Sequence, residues 1–300
     1  MAQPRGAAAS STVDDVPVSS GSFRHDGQHL AYTTYGEGSR VLVLLHGLLL
    51  SQRMHERLAR ELAARGNRVV TLDLLGHGSS DRPRDMWHYS MALFAEQVLG
   101  LLDHLGVDEA VVGGTSLGAN VTLEVAQRDA ARLRGMLIEM PVLDNALLAG
   151  ALAFTPLMVA LSFAEPLMAG LAFAARRVPS ALLPYWGDVA LDVLRQDPGP
   201  SAAVIQGILF GRVAPHRRER RTFTTPALVI GHRRDPIHPF SDADLLAGEL
   251  RNGRLVQAST ILELRLRPER LTNEIAGFLD ECWAPRAAAT SRRTRRRAAS

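Results

Sequence analysis

The chain has 300 residues, of which 46% are hydrophobic and 22% charged, a length and composition ordinary for one large globular domain. Its formal net charge is +3, but six arginines and no acid lie in residues 284–300, which leaves residues 1–283 with a net charge of −3. A faintly acidic body excludes a general basic surface, so we expect no nucleic-acid partner. Residues 284–300 are predicted to be a basic disordered tail.

The beginning of the chain and its single cysteine bear on its location. Residues 1–20 are small and polar without an apolar stretch, which predicts a disordered leader and no secretion signal. Cys282 is the one cysteine, so no intrachain disulfide can form, as suits a reducing compartment. We therefore predict a cytoplasmic location.

A hairpin comes first, because polar and apolar residues alternate from Phe23 to Tyr35 around the turn signal Asp26–Gly27. Short apolar strands and helical segments alternate after it. Strands are predicted at 41–45, 68–73, 110–113 and 136–140, with helices at 54–65, 90–105 and 117–128. Strands that are apolar on both faces predict an α/β fold with a mostly parallel, doubly wound sheet.

The alternation stops at Pro141. Residues 142–215 are rich in Ala, Leu and Met and are predicted to be helical. Strands at 226–231 and 254–258 and helices at 242–250 and 269–283 then resume the alternation. The simplest architecture is a core of residues 21–141 and 216–283 into which a helical cap, residues 142–215, is inserted.

One segment of the predicted cap is apolar enough to suggest a membrane. Residues 146–164 carry no charge, and their length and hydropathy are those of a transmembrane candidate. Pro156 near the middle argues against a regular span. We favour a helical lid that is buried or faces a substrate, expect no stable membrane span, and leave contact with a lipid surface open.

The strongest chemical signal is the G-x-S-x-G motif of residues 114–118, which places Ser116 between two glycines. A predicted strand precedes the motif and a predicted helix follows it, as a nucleophile elbow requires. The glycines suit a sharp turn with close backbones, and the helix N-terminus favours negative charge beside the serine. The pattern predicts an exposed, nucleophilic Ser116.

Two further motifs accompany the elbow: His46-Gly47-Leu48 directly after a strand, and the Leu72–Pro83 segment with its G-H-G-S-S-D core. With them the chain resembles the α/β-hydrolase superfamily from about residue 21 to residue 283. The resemblance implies that the backbone N–H groups of Leu48 and Leu117 form an oxyanion hole. It also implies that His46 and His77 are structural turn residues.

The resemblance implies a catalytic acid as well. Val229–Pro236 looks like the strand and loop that hold it, which makes Asp235 the candidate to orient a histidine. Asp144, after the strand predicted at 136–140, is a weaker alternative because some relatives place the acid there.

The usual base is missing. Relatives hold a histidine in the loop after the last strand, but here residues 258–268 contain none, and Ile261 stands at or near the expected place. His238, three residues after Asp235, is the preferred base. His232 is a second candidate and Glu263 a remote third. The other explanation is a degenerate site without a base.

The sequence thus predicts a serine hydrolase that cleaves a carboxylic ester or related acyl substrate through an acyl-enzyme on Ser116. The alternative is a catalytically impaired hydrolase-fold protein that binds an apolar ligand or a partner. A cofactor-free peroxidase would use the same three residues. The Leu- and Met-rich cap suggests an apolar substrate. We expect no cofactor and no metal, and the oligomeric state is open.

Overall fold

The structure is a computed structural model that describes residues 12–285. Over this range eight strands form one sheet in the order β1-β2-β4-β3-β5-β6-β7-β8. The strands are β1 (Val18–His25), β2 (Gln28–Tyr35), β3 (Val41–Leu45), β4 (Arg68–Leu72), β5 (Ala110–Thr115), β6 (Leu133–Glu139), β7 (Ala227–His232) and β8 (Gly253–Ala258).

Eleven α-helices lie in the same range. They are α1 (Glu56–Ala64), α2 (Met91–His104), α3 (Leu117–Asp129), α4 (Leu147–Phe163), α5 (Glu165–Arg176), α6 (Tyr185–Arg195), α7 (Pro198–Leu209), α8 (Arg217–Arg220), α9 (Phe240–Glu249), α10 (Glu263–Leu266) and α11 (Glu269–Trp283).

The sheet is mostly parallel, as predicted. β2 pairs antiparallel with β1 and with β4, and every other neighbouring pair is parallel. The carboxyl ends of β3, β5, β6 and β7 therefore meet at one edge. After β3 the chain goes first to β4 on one side and later to β5 on the other, and ligands of open α/β sheets bind at such a switch point.

The apolar strands are buried on both faces, because successive side chains point to opposite sides. Val41, Val43 and Leu45 of β3 pack in one core with α2, α3 and α9, whereas Leu42 and Leu44 pack in a second core with α1 and α11. The predicted doubly wound α/β architecture is confirmed.

The N-terminal end of the chain differs from the sequence prediction. β1 begins at Val18, whose partner in β2 is Tyr35, so residues 18–20 belong to the sheet and not to a disordered leader. A 3₁₀ turn at Val13–Asp15 precedes the strand. Residues 1–11 and 286–300, and with them most of the predicted leader and tail, lie outside the described residues.

Helices α4 to α7 lie between β6 and β7, within the range predicted as the cap. Among the described residues, no helix by itself has the length and apolar composition to cross a membrane. α4 and α5 have the length and apolar composition of a membrane span only when taken together, and the chain bends by 100° between them. Only Leu161 of α4 is buried, so this helix is more exposed than the expected lid.

The start of α3 lies unusually close to the end of β3. A Cβ on Gly118 or on Gly114 would overlap the carbonyl oxygen of Leu45. The backbone N–H of Gly118 donates to the carbonyl of His46, at 3.1 Å, directly after β3. Only glycine permits this approach, which sets the turn after β5 beside the turn after β3.

We predict that Gly118→Ala lowers the free energy of unfolding by about 1–3 kcal/mol, because the new methyl group must displace backbone. Gly277→Ala is the matched control: Gly277 is a helical glycine whose added Cβ meets nothing within 4 Å. It should stabilise the protein by up to about 1 kcal/mol. Urea denaturation measures both. Equal stability of the two variants would contradict the close approach of α3 to β3.

Candidate active site

Ser116 occupies a strained turn between β5 and α3. Its φ of 55° and ψ of −106° are rare for a residue with a side chain. The N–H of Ser116 donates to the carbonyl of Glu139, at 2.9 Å, at the end of the neighbouring β6. Strand β5 and helix α3 on either side hold the strained conformation in place, and Ser116 lines the pocket at this edge of the sheet.

His238 lies next to this serine. Its Nε2 is 2.9 Å from Oγ of Ser116, and its Nδ1 is 2.9 Å from Oδ2 of Asp235. The three side chains therefore form a continuous hydrogen-bonded chain, although the histidine comes from the loop after β7. With Nδ1–H donating to the carboxylate, Nε2 is free to accept the proton of the serine hydroxyl.

The loop after β7 is folded around Asp235. Its Oδ1 accepts the backbone N–H groups of Ile237, at 2.8 Å, and His238, at 2.9 Å. Arg234, with a φ of 62°, turns the chain just before it. Burial by itself raises the pKa of Asp235, but the hydrogen bonds from His238 outweigh it and lower the pKa below its usual value. The carboxylate is thus ionised and fixed.

His232, the second candidate base, is engaged elsewhere. It is buried at the end of β7, where Nδ1 is 2.9 Å from the carbonyl of Thr260 and Nε2 is 3.2 Å from Glu139. Burial lowers the pKa of His232, but the hydrogen bond and charge of Glu139 raise it above its usual value overall. Neither ring nitrogen of His232 forms a hydrogen bond with Ser116.

Glu139 joins this histidine to an arginine in a buried cluster behind the elbow. Arg265 donates to both carboxylate oxygens of Glu139, at 3.0 and 2.7 Å, and also to Thr115, at 3.2 Å. Burial alone raises the pKa of Glu139, but the charge of Arg265 and the hydrogen bond from His232 hold it far below its usual range. The cluster links β5, β6, β7 and the segment after β8.

The remaining candidates do not join the Ser116 site. Oε1 of Glu263 accepts from Arg270 at 2.7 Å, and its Oε2 accepts the N–H of Ser259. Asp144 is exposed at the start of the inserted helices, and Ile261 is partly exposed in the turn after β8. The structure therefore brings Asp235 and His238 to the serine, and not Glu263 or Asp144.

The two predicted oxyanion-hole residues lie at the pocket of Ser116. Leu117 is the first residue of α3, and Leu48 lies in the turn after β3; both line the same pocket. Neither backbone N–H has a hydrogen-bond acceptor within residues 12–285. Leu49, with a φ of 58°, bends this turn. Two unpaired donors at a helix N-terminus and an adjacent turn suit a developing oxyanion.

The histidines of the two flanking motifs, His46 and His77, are buried and form hydrogen bonds with the backbone. Nε2 of His46 accepts the N–H of Leu74, at 3.0 Å, and its Nδ1 lies 2.8 Å from the carbonyl of Gly47. Nδ1 of His77 lies 3.0 Å from the carbonyl of Leu75. Burial lowers the pKa of both rings, which keeps them neutral.

The pocket beside Ser116 is apolar and has a cavity volume of about 80 Å³. Its polar lining consists of Ser116, Asn120 and His238. The apolar lining comes from four parts of the chain: Leu48, Met91 and Leu117 of the core, Val142 to Phe154 of the inserted helices, Ile205 to Val213 around the end of α7, and Ile237.

Two residues that the sequence analysis missed fix the inserted helices to the core. The amide of Asn120 on α3 donates to the carbonyls of Val142 and Val213, at 2.7 and 2.8 Å, and so ties both ends of the segment. The buried carboxylate of Asp242 accepts the N–H groups of Leu143 and Ala146, at 2.8 and 3.0 Å. No local pattern marks these residues, because their partners are distant in sequence.

One group of described residues has the composition of a metal site. His25, Asp26 and Glu96 place one ligand atom each within 4.8 Å of one another. They lie at the β1–β2 turn and on α2, and none of them lines the pocket of Ser116. Exposed acids beside a histidine are common without a metal, so the cluster supports no role in the chemistry.

Comparison with known proteins places the chain in a family. The family model described as alpha/beta hydrolase fold matches residues 40–260. The AB hydrolase superfamily protein YisY of Bacillus subtilis is 27% identical over 72% of this chain and 82% of its own length. A 2-hydroxymuconate semialdehyde hydrolase of Pseudomonas putida is 38% identical over 24% of this chain and 25% of that enzyme.

Solved structures have the same fold as this chain. The enol-lactonase of Burkholderia xenovorans LB400 superposes with a TM-score of 0.69 at 24% identity, covering 86% of this chain and 99% of that one, which shows a shared fold. The resemblance drawn from the sequence motifs is confirmed. The chain therefore belongs to the α/β hydrolase fold family, as an α/β hydrolase enzyme.

Proposed function

We propose that this enzyme is a serine hydrolase that cleaves a carboxylic ester or a related acyl compound through an acyl-enzyme on Ser116. The observation that carries the proposal is the chain of two 2.9 Å contacts from Oγ of Ser116 through His238 to Asp235. A serine hydroxyl is a weak nucleophile until a positioned base accepts its proton. This arrangement disfavours the alternative of an impaired, ligand-binding protein.

The proposed reaction has two halves. Oγ of Ser116 attacks the carbonyl carbon while Nε2 of His238 takes the hydroxyl proton, and the N–H groups of Leu48 and Leu117 stabilise the oxyanion. The proton then passes from His238 to the departing alkoxide, which leaves an ester on Ser116. Water attacks that ester, with its proton again taken by His238, and the acid departs as Oγ regains a proton. Asp235 keeps the imidazole oriented throughout.

The lining of the pocket supports an apolar acyl group as the substrate class. Only Ser116, Asn120 and His238 contribute polar side chains to the lining. The amide nitrogen of Asn120 already donates two hydrogen bonds, to the carbonyls of Val142 and Val213. An apolar wall with few polar groups selects by shape and hydrophobic contact. The enol-lactonase, as its name states, also acts on a cyclic ester, which agrees with carbonyl–oxygen cleavage.

The inserted helices complete the proposal. We assign α4 to α7 as a cap, since α4 and α7 supply the pocket wall that faces the sheet edge. The cap is tied at both ends by Asn120. No cofactor is needed for this chemistry, and the cytoplasmic location stays a prediction.

The first test is covalent labelling with a fluorophosphonate. We predict that wild type is labelled, that Ser116→Ala is not, and that His238→Ala is labelled about 10²–10⁴-fold more slowly, because the base is lost. His29→Ala is the matched control, since His29 is exposed on β2. Gel fluorescence measures the rates, and circular dichroism checks that each variant is folded.

Two results would contradict this assignment. Folded wild type that resists labelling would exclude an activated Ser116. Labelling that proceeds at the wild-type rate in His238→Ala would show that another group takes the proton.

The second test concerns the acyl chain. We predict that Gly150→Phe, which adds a ring to the pocket wall formed by α4, lowers kcat/KM for p-nitrophenyl octanoate by about tenfold or more and changes that for the acetate much less. Gly248→Phe is the control, because Gly248 is exposed on α9 and an added Cβ there meets nothing within 4 Å. Equal losses on both esters would mean that the acyl chain does not occupy this pocket.

A further inference from the structure

The outer faces of α4 and α5 are apolar and exposed. Phe163, at the bend between the two helices, has 87% of its surface accessible. The other large side chains of this face, here called the α4–α5 face, are Leu148, Leu152 and Val159 of α4 and Leu167, Leu171 and Phe173 of α5; all are at least 45% exposed. Large exposed apolar side chains that are grouped on two consecutive helices indicate an interaction site.

Helix α4 is apolar on both sides. Leu147, Gly150, Ala151 and Phe154 recur at helical spacing and line the pocket of Ser116. Leu148, which follows Leu147, is turned away from them and is 71% exposed. A surface helix of a globular protein normally places polar residues on its outer side. Contact between the apolar outer side of α4 and water is therefore unfavourable, and we expect another surface to cover it.

The charges around the α4–α5 face indicate which occupant fits. Residues 146–164 carry no charge, and residues 165–187 carry only Glu165, Arg176 and Arg177. Glu165 is neutralised by Arg84 at 2.9 Å. Neither Arg176 nor Arg177 forms an ion pair with a carboxylate of the described residues, and both are exposed at the end of α5. The face is thus apolar with an unpaired cationic edge.

We propose that the α4–α5 face docks on a lipid surface that contains anionic phospholipids. Leucine and phenylalanine side chains at the bend enter the boundary between headgroups and acyl chains, and Arg176 and Arg177 contact the phosphates. Arg177 already stacks on Phe173, with its guanidinium carbon 3.3 Å from the ring centre, which joins the cationic edge to the apolar face. Docking is interfacial and requires no helix to span the bilayer.

A second copy of the chain is a less suitable occupant. A two-fold interface through the α4–α5 face would bring two sets of unpaired arginines into one contact. Glu165, the one acid of the two helices, is already paired with Arg84 and does not oppose them. An anionic lipid surface supplies the missing negative charge.

The test compares binding of the full chain to vesicles of phosphatidylcholine with phosphatidylglycerol and to vesicles of phosphatidylcholine alone, by flotation. We expect stronger binding to the anionic vesicles, and a loss of about tenfold or more in partitioning for Leu152→Ser/Phe163→Ser, since two exposed apolar anchors are removed. Val18→Ser is the control, because Val18 is an exposed apolar residue of β1. Arg176→Gln/Arg177→Gln should lose only the preference for anionic vesicles.

All these variants keep the arginine-rich residues 286–300, so a difference between them reports on the α4–α5 face. Unchanged partitioning of Leu152→Ser/Phe163→Ser would overturn the proposal and assign binding to another part of the chain. Wild type that ignores vesicles, is dimeric by light scattering and becomes monomeric in Leu152→Ser/Phe163→Ser would assign the face to a second copy. Ser116→Ala should bind vesicles like wild type, which separates this proposal from the proposed hydrolysis.

Discussion

The geometry of the site depends on how closely helix α3 approaches strand β3. The carbonyl oxygen of Leu45 occupies the space where a side chain would stand at Gly114 or Gly118. Because the two backbones touch, the turn after β3 and the N-terminus of α3 become neighbours, and Leu48 and Leu117 line one pocket. Ser116 is held in this turn at a positive φ and lines the same pocket.

The histidine beside Ser116 comes from the loop after β7 and not from the segment after β8. Asp235 and His238 are three residues apart in one loop, so a single turn, closed by two backbone N–H groups on the carboxylate, orients the imidazole. The segment after β8, where the resemblance places the histidine of relatives, instead supplies Arg265 to buried Glu139. Removing one partner of such a buried pair costs about 3–5 kcal/mol, so the segment after β8 contributes to the stability of the fold.

Local patterns were enough to predict the sheet and the elbow. The apolar strands are short and buried on both faces, and the glycines of residues 114–118 mark the turn, so both signals are contained in a few adjacent residues. Boundaries were less accurate. The first helix is predicted from residue 54, but α1 begins at Glu56. The 3₁₀ turn at Gln52–His55 continues the apolar spacing of the helix, so the pattern does not separate the two.

Contacts between distant residues could not be predicted. His232 and His238 both flank Asp235 in sequence, and only the fold shows that His232 bonds to Glu139, 93 residues away. Arg265 pairs with the same carboxylate across 126 residues. The exposure of α4 was missed for a related reason: hydropathy shows that a helix is apolar, but not which side of it is covered.

Helix α4 contributes to both the pocket of Ser116 and the α4–α5 face. One side of it forms a wall of the pocket, and the other belongs to the α4–α5 face. Its start is fixed to the core by Asn120 and Asp242, while the residues of the Ser116–His238–Asp235 chain belong to the turns after β5 and β7. Under the two proposals, a lipid contact on α4 would shift this wall of the pocket, while the hydrogen bonds that join Ser116, His238 and Asp235 stay in place.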